Sequence, residues 1–229
     1  MLIEEFPVDE DQDLGTVAMV TINRPDKLNA LNAEVMSAIK AMVAWVESTA
    51  HVRVVVITGA QPNTPPEGKR SKPNAFVAGA DIPEFLGRGS EEITAMFTDN
   101  AIEALWNMSK PSIAMVDGFA LGGGLEVACS CDIRIASTRS KFGTPEINLG
   151  LIPGYGGTQR LSSLVGKGKA IEMITTGGML TASEAKEWGL VNYVCSQEEI
   201  IPLAEKIASK IKNNSPTVSY THLTLPTKA

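Results

Sequence analysis

Two glutamates in this sequence stand where glycine or proline shapes the adjoining backbone. Glu126 ends the run Gly122-Gly-Gly-Leu-Glu, and Glu146 follows Pro145 in Phe142-Gly-Thr-Pro-Glu-Ile-Asn-Leu-Gly. Consecutive glycines at a helix start let backbone approach a ligand closely and aim unpaired N–H groups at it, which is how a developing oxyanion is held. A carboxylate beside such donors can serve as acid or base. Each glutamate also has a plainer reading: Glu126 complementing a helix dipole above glycines that serve packing, and Pro-Glu opening an ordinary helical turn. The glycine stretch Gly154 to Gly157 reads by itself as a loop entering a helix, and Ala75-Phe-Val-Ala-Gly-Ala-Asp-Ile is a third glycine-bearing segment.

Other chemistries are poorly provided for. No P-loop, GxGxxG, GxSxG or HExxH pattern occurs; of the two histidines, His51 opens a strand and His222 lies near the C-terminus. A histidine triad and a metal site are therefore not expected. Cys129, Cys131 and Cys195 lack disulfide or zinc-ligand spacing and read as small buried hydrophobes of a reducing compartment. A net charge of −6 opposes a phosphate-neutralising surface, so nucleic acid is not an expected partner. The acidic residues near Met1 and the lack of any long apolar run point to a cytoplasmic protein without a membrane span.

The elements that must position the glutamates alternate between strand and helix in a chain of 229 residues, 44% of them hydrophobic, enough for one substantial core. Strands are expected at Thr16 to Ile22 (in an opening hairpin), Val52 to Ile57, Ser112 to Val116, Asp132 to Ala136 and Leu190 to Val194. Leu31, Val35, Ile39, Met42, Val43 and Val46 recur at helical spacing behind Asn32 as N-cap. A second helix, capped by Ser90, carries Ile93, Met96, Phe97, Ala101, Ala104, Leu105 and Met108 along one side. Further helices are expected over Leu125 to Ser130, Gly157 to Val165, Lys167 to Thr175, Ser183 to Trp188 and Glu198 to Lys212. Gln61 to Asn74 reads as a solvated loop whose Lys69, Arg70 and Lys72 could meet a phosphate.

Taken in order, Asn23-Arg-Pro with Leu28-Asn-Ala-Leu, Phe76-Val-Ala-Gly-Ala-Asp-Ile, the Gly-Gly-Gly-Leu-Glu turn, Pro145-Glu146, Gly154 to Arg160, and Thr181-Ala-Ser-Glu-Ala-Lys-Glu-Trp-Gly-Leu-Val resemble the crotonase, or enoyl-CoA hydratase/isomerase, family. The resemblance implies an α/β crotonase-like spiral of ββα units and a homotrimer or dimer of trimers. It implies an acyl-CoA thioester substrate with no separate cofactor, since coenzyme A is part of the substrate. Backbone N–H groups of Ala80 and Gly123 would form the oxyanion hole, and Glu126 and Glu146 the acid/base pair. Substrate and coenzyme A would meet Lys27, Leu28, Ala78, Gly79, Asp81, Ile82, Gly122, Gly154 and Tyr155. Pro83 stands where many hydratases have lysine, leaving Lys27 as the alternative cation. Retention of both glutamates resembles a hydratase of fatty acid or related acyl-CoA degradation; an enoyl-CoA delta isomerase and a non-catalytic, RNA-binding member of the fold are the alternatives. The likeness runs to Ser215, so residues 1–215 are expected to form the catalytic core. Residues 216–229, without helical period, resemble a non-native tail in place of the family's closing helices.

Overall fold

Eight residues of mostly β-branched character, Val52–Gly59, can be accommodated only where both faces of a strand are covered, and the computed structural model of the chain places them so. It describes residues 1–6, 15–65, 68, 71–98 and 100–224. β1 (Leu2–Phe6) pairs antiparallel with β2 (Thr16–Ile22), and β2 runs parallel to β3 (Val52–Gly59). β4 (Ala75–Val77) leaves that sheet. β5 (Ser112–Val116) returns to it, β6 (Phe119–Leu121) leaves, β7 (Ile133–Ser137) returns, and β8 (Lys141–Gly143) leaves. With β9 (Met179–Thr181) and β10 (Tyr193–Cys195), the result is a six-stranded sheet ordered β1-β2-β3-β5-β7-β10 and a four-stranded sheet ordered β4-β6-β8-β9. The pairs β3/β4, β5/β6 and β7/β8 each contribute one strand to each sheet before the chain turns into helix, which is the expected spiral of ββα units.

The helices are α1 (Ala33–Ser48), α2 (Ser90–Phe97), α3 (Ala101–Trp106), α4 (Gly123–Ser130), α5 (Gly157–Val165), α6 (Lys167–Thr176), α7 (Ala182–Glu187), α8 (Ile200–Lys212) and α9 (Pro216–Thr224). Alternation along β3 explains its composition: Val55 and Ile57 enter the main core with α1 and α4, while Val54 and Val56 meet Ala204 and Ala208 of α8 on the other face. The expected α1 stripe is buried, and the Asn32 side chain accepts the Val35 N–H at 3.0 Å. Cys129 and Cys131 are buried without a disulfide, and burial pushes their thiols up to about 11 and about 12. No described helix is long and apolar enough to cross a membrane.

Four expectations need correction. The helix expected from Ser90 onward is two helices, because Asn100 breaks it: its Nδ2 donates to the Phe97 carbonyl at 3.0 Å, while its Oδ1 accepts the Glu103 N–H at 2.8 Å and caps α3. The cap of α2 is Gly89, whose N–H meets the Glu92 carboxylate at 2.8 Å. Leu190 and Val191 are core residues preceding β10 rather than part of it. Residues 216–224 are helical despite lacking an apolar stripe: Pro216 opens α9, and none of its residues is buried. Of the basic loop residues, Lys69 and Arg70 lie outside the described residues, and Lys72 donates to the Asp26 carbonyl at 2.7 Å.

Candidate active site

The glycine run sits where β6 turns into α4. Gly122 has φ 53°, ψ −125°, and its N–H donates to the Gly143 carbonyl at 2.9 Å, pinning the turn to β8. A Cβ on Gly124 would lie 1.9 Å from the Val77 carbonyl oxygen, so glycine is what lets α4 start against β4. Gly123 is the first residue of α4, and its N–H is one of the donors a helix cannot satisfy internally.

Glu126, in the first turn of α4, is 1% exposed. Its Oε1 accepts two backbone N–H bonds across the site, from Tyr155 at 2.8 Å and Gly157 at 2.7 Å. Burial dominates its titration and raises it from the ordinary 4.5 to about 7; the two amides and the Arg160 charge oppose the rise, and the Glu146 charge adds to it. Glu146 lies in the 3-10 turn Pro145–Leu149. One of its oxygens sits 3.0 Å from where a Cβ on Gly122 would be, and the other, Oε2, is buried without a hydrogen-bond partner. Burial likewise raises the proton affinity of Glu146.

Ala80 is oriented by its neighbours. Leu31 N–H donates to the Gly79 carbonyl and Asp81 N–H to the Leu31 carbonyl, both at 2.8 Å, forming a parallel bridge centred on Ala80. In such a bridge the central residue's own N–H points away from the partner strand. Ala80, Gly123, Glu126 and Glu146 all line one cavity of about 630 Å³. Two carboxylates and two backbone amides therefore border a single largely apolar space, an arrangement able to move protons at carbon while holding negative charge on a nearby oxygen.

Most of the residues expected to bind substrate border the same cavity: Ala78, Gly79, Ile82, Gly122, Gly154 and Tyr155. Lys27, Leu28 and Asp81 do not line it. Asp81 is held by Arg24 at 2.9 Å, and the Leu28 carbonyl accepts the Ala78 N–H at 3.1 Å. Lys27 is exposed on the 3-10 turn Pro25–Lys27. The same turn depends on Asn29, whose buried side chain donates to the carbonyls of Ala60 and Ala75 at 3.0 and 2.8 Å. Beyond Ile82 and Tyr155, the apolar wall of the cavity carries no mark as such in the sequence. Phe97 packs on Tyr155 with ring centroids 4.8 Å apart and on Phe85 at 6.4 Å, and Leu151 and Ile152 lie at the cavity. Helical spacing marks Phe97 as apolar-facing, but cannot distinguish a core from a cavity.

Known proteins share this arrangement of chain. The family model described as Enoyl-CoA hydratase/isomerase matches residues 12–224. A protein of Clostridium acetobutylicum named short-chain-enoyl-CoA hydratase is 45% identical over 204 residues, which is 88% of this chain and 74% of that protein. A crotonyl-CoA hydratase of Syntrophomonas wolfei is 40% identical over 213 residues, 92% of this chain and 76% of that one. The crystal structure of an enoyl-CoA hydratase from Bacillus anthracis superposes with a TM-score of 0.83 at 33% identity, covering 97% of this chain and 81% of the other. With the family pattern matched over nearly the whole chain and the spiral of strand pairs reproduced, the chain belongs to the enoyl-CoA hydratase/isomerase family.

Proposed function

We propose that the protein is an enoyl-CoA hydratase, adding water reversibly across the C2=C3 bond of a 2-enoyl-CoA to give a 3-hydroxyacyl-CoA. The observation that carries this reading is that Glu126 and Glu146 border the same cavity as the Ala80 and Gly123 backbone. Hydratases of 40–45% identity support it.

Attack of water at C3 places charge on the thioester oxygen, where the Ala80 and Gly123 N–H groups would receive it; one such donor is worth about 3 to 4 kcal/mol of barrier. One proton shared between the carboxyls supplies both remaining needs, because two nearby buried acids do not both ionise readily. The Tyr155 and Gly157 amides orient Glu126, which burial keeps protonated up to about pH 7, and burial raises the proton affinity of Glu146 as well, so either carboxyl can hold the proton of the pair. Glu126 as carboxylate takes a proton from water as its oxygen bonds to C3, and Glu146 as acid delivers a proton to C2. The pair ends with its proton exchanged, ready for the reverse reaction or for return through solvent. A coenzyme A thioester is the substrate, no separate cofactor is needed, the family likeness implies a homotrimer or dimer of trimers for the full-length protein, and the reading places it in the cytoplasm. Turnover of short 2-enoyl-CoA thioesters, followed by loss of the conjugated thioester absorbance, tests the reading: hydration is expected. A protein that only shifts double bonds, or only retards RNA in a gel, would overturn it.

A further inference from the structure

A guanidinium is costly to bury unless partners surround it, yet Arg160 of α5 is only 7% exposed and does not border the cavity. Its Nη1 donates to the Tyr155 carbonyl at 2.6 Å, its Nη2 to Glu103 Oε2 at 2.5 Å, and its guanidinium carbon lies 4.9 Å from the Trp106 ring centroid. The segment it grips is the one that grips Glu126. Tyr155 offers its carbonyl to Arg160 and its N–H to Glu126, and Gly157, two residues on, offers the second N–H. Between them Gly156 has φ 91°, and a Cβ there would lie 2.3 Å from Arg160 Nη1, so the loop crosses the guanidinium at contact distance.

We propose that Arg160 is a positioning residue for the hydration chemistry: braced by Glu103 and Trp106 of α3, it holds the Tyr155–Gly157 peptides whose amides orient the Glu126 carboxylate. This inference rests on the function proposed above. Arg160 also supplies positive charge that opposes protonation of Glu126. The other titratable groups around Glu126 are Glu146 from the 3-10 turn, the Tyr155 phenol from the loop, Cys129 on α4 itself, and Glu103 through Arg160. The strands packed against α4, β4, β5 and β6, carry no titratable side chain. Loss of the guanidinium should therefore both loosen Glu126 and raise its proton affinity.

The test uses the full chain with Arg160→Met, Arg160→Lys and Glu103→Gln, each checked for folding by circular dichroism. Two readouts are taken across pH: kcat and KM for enoyl thioester hydration, and infrared titration of the Glu126 carboxyl, assigned by difference from Glu126→Gln. Arg160→Met is expected to lose roughly 100-fold in kcat, as for a misplaced catalytic group, with KM within about 2-fold. Its Glu126 titration should move to higher pH. Arg160→Lys restores charge without the fork, so the titration should return toward wild type while kcat stays depressed. Glu103→Gln should lower kcat less than Arg160→Met. A folded Arg160→Met with wild-type kcat and an unmoved Glu126 titration overturns the proposal. Should Arg160→Met fail to fold, a folded Arg160→Lys with wild-type kcat does the same. The infrared readout needs no turnover. A wild-type protein inactive toward enoyl thioesters would sink the functional reading, while the Arg160–Glu126 coupling would still be measured.

Discussion

Replacing Glu126 by glutamine removes a buried acid while keeping an acceptor oxygen for the Tyr155 and Gly157 amides, so its effect on stability should depend on pH in a calculable way. In the folded chain Glu126 titrates at about 7 against an ordinary 4.5. Below the lower value the carboxyl is protonated whether the chain is folded or not, and no penalty exists. Between the two, the unfolded chain ionises while the folded one retains its proton, so stability falls as pH rises, and the loss is complete above about 7. A rise of this size corresponds to about 3 kcal/mol. For a chain of this length each kcal/mol moves Tm by about 2–4 °C, so the Tm of Glu126→Gln minus that of wild type should grow by about 6–12 °C between pH 4.5 and pH 8. Thermal melts by calorimetry on both proteins at matched ionic strength measure the difference, in which the other carboxyls largely cancel. A Tm difference that is flat across that range would refute the claim that burial governs Glu126. The same titration predicts that hydration slows as pH falls below about 7, when Glu126 takes a proton and can no longer accept one from water.

Two substitutions probe the frame around the pair. Gly124→Ala drives a methyl toward the Val77 carbonyl, 1.9 Å from the ideal Cβ position, and should cost about 3 kcal/mol or more by urea unfolding; a variant as stable as wild type would show that α4 does not depend on that close approach. Phe97→Ala removes the ring that packs on Tyr155 at the cavity wall and should shift the kcat/KM preference toward longer acyl chains, by roughly 10-fold for one or two methylenes; an unchanged chain-length profile across a thioester series would place the acyl group elsewhere.

Strands of the six-stranded sheet were legible from their own residues, whereas the three-residue strands β4, β6, β8 and β9 of the other sheet were not, and the spiral of ββα units was implied only by the family pattern. Val52–Gly59 has the unbroken β-branched run of a doubly covered strand, and Leu31 through Val46 the spacing of a helix with one buried face. The glutamate pair was legible only through the family pattern, since neither Gly-Gly-Gly-Leu-Glu nor Pro-Glu tells by itself which distant segment it will face. What remained hidden depends on tertiary contacts. Asn100 splits a continuous apolar stripe by capping in both directions, a local hydrogen-bond choice that periodicity does not register. Asp81 and Leu28 sit within motifs that resemble ligand contacts, and the contacts of Asp81 Oδ2 with Arg24 and of the Leu28 carbonyl with the Ala78 N–H emerge only in the folded chain. Arg160 reads in sequence as one more helix cation, and its place behind the Tyr155 peptide emerges only when α3, α4 and α5 meet.

Proton exchange at C2 addresses the central claim, that Glu146 and Glu126 serve neighbouring carbons of one thioester. A saturated acyl-CoA has no double bond to hydrate, but its C2 proton can still be exchanged by a base beside an oxyanion site. Incubation with it in D2O, read by mass spectrometry, separates the two acids. Wild type and Glu126→Gln should both incorporate deuterium at C2, although Glu126→Gln no longer hydrates the enoyl thioester, and Glu146→Gln should do neither. Normal deuterium uptake by a folded Glu146→Gln protein would contradict the account.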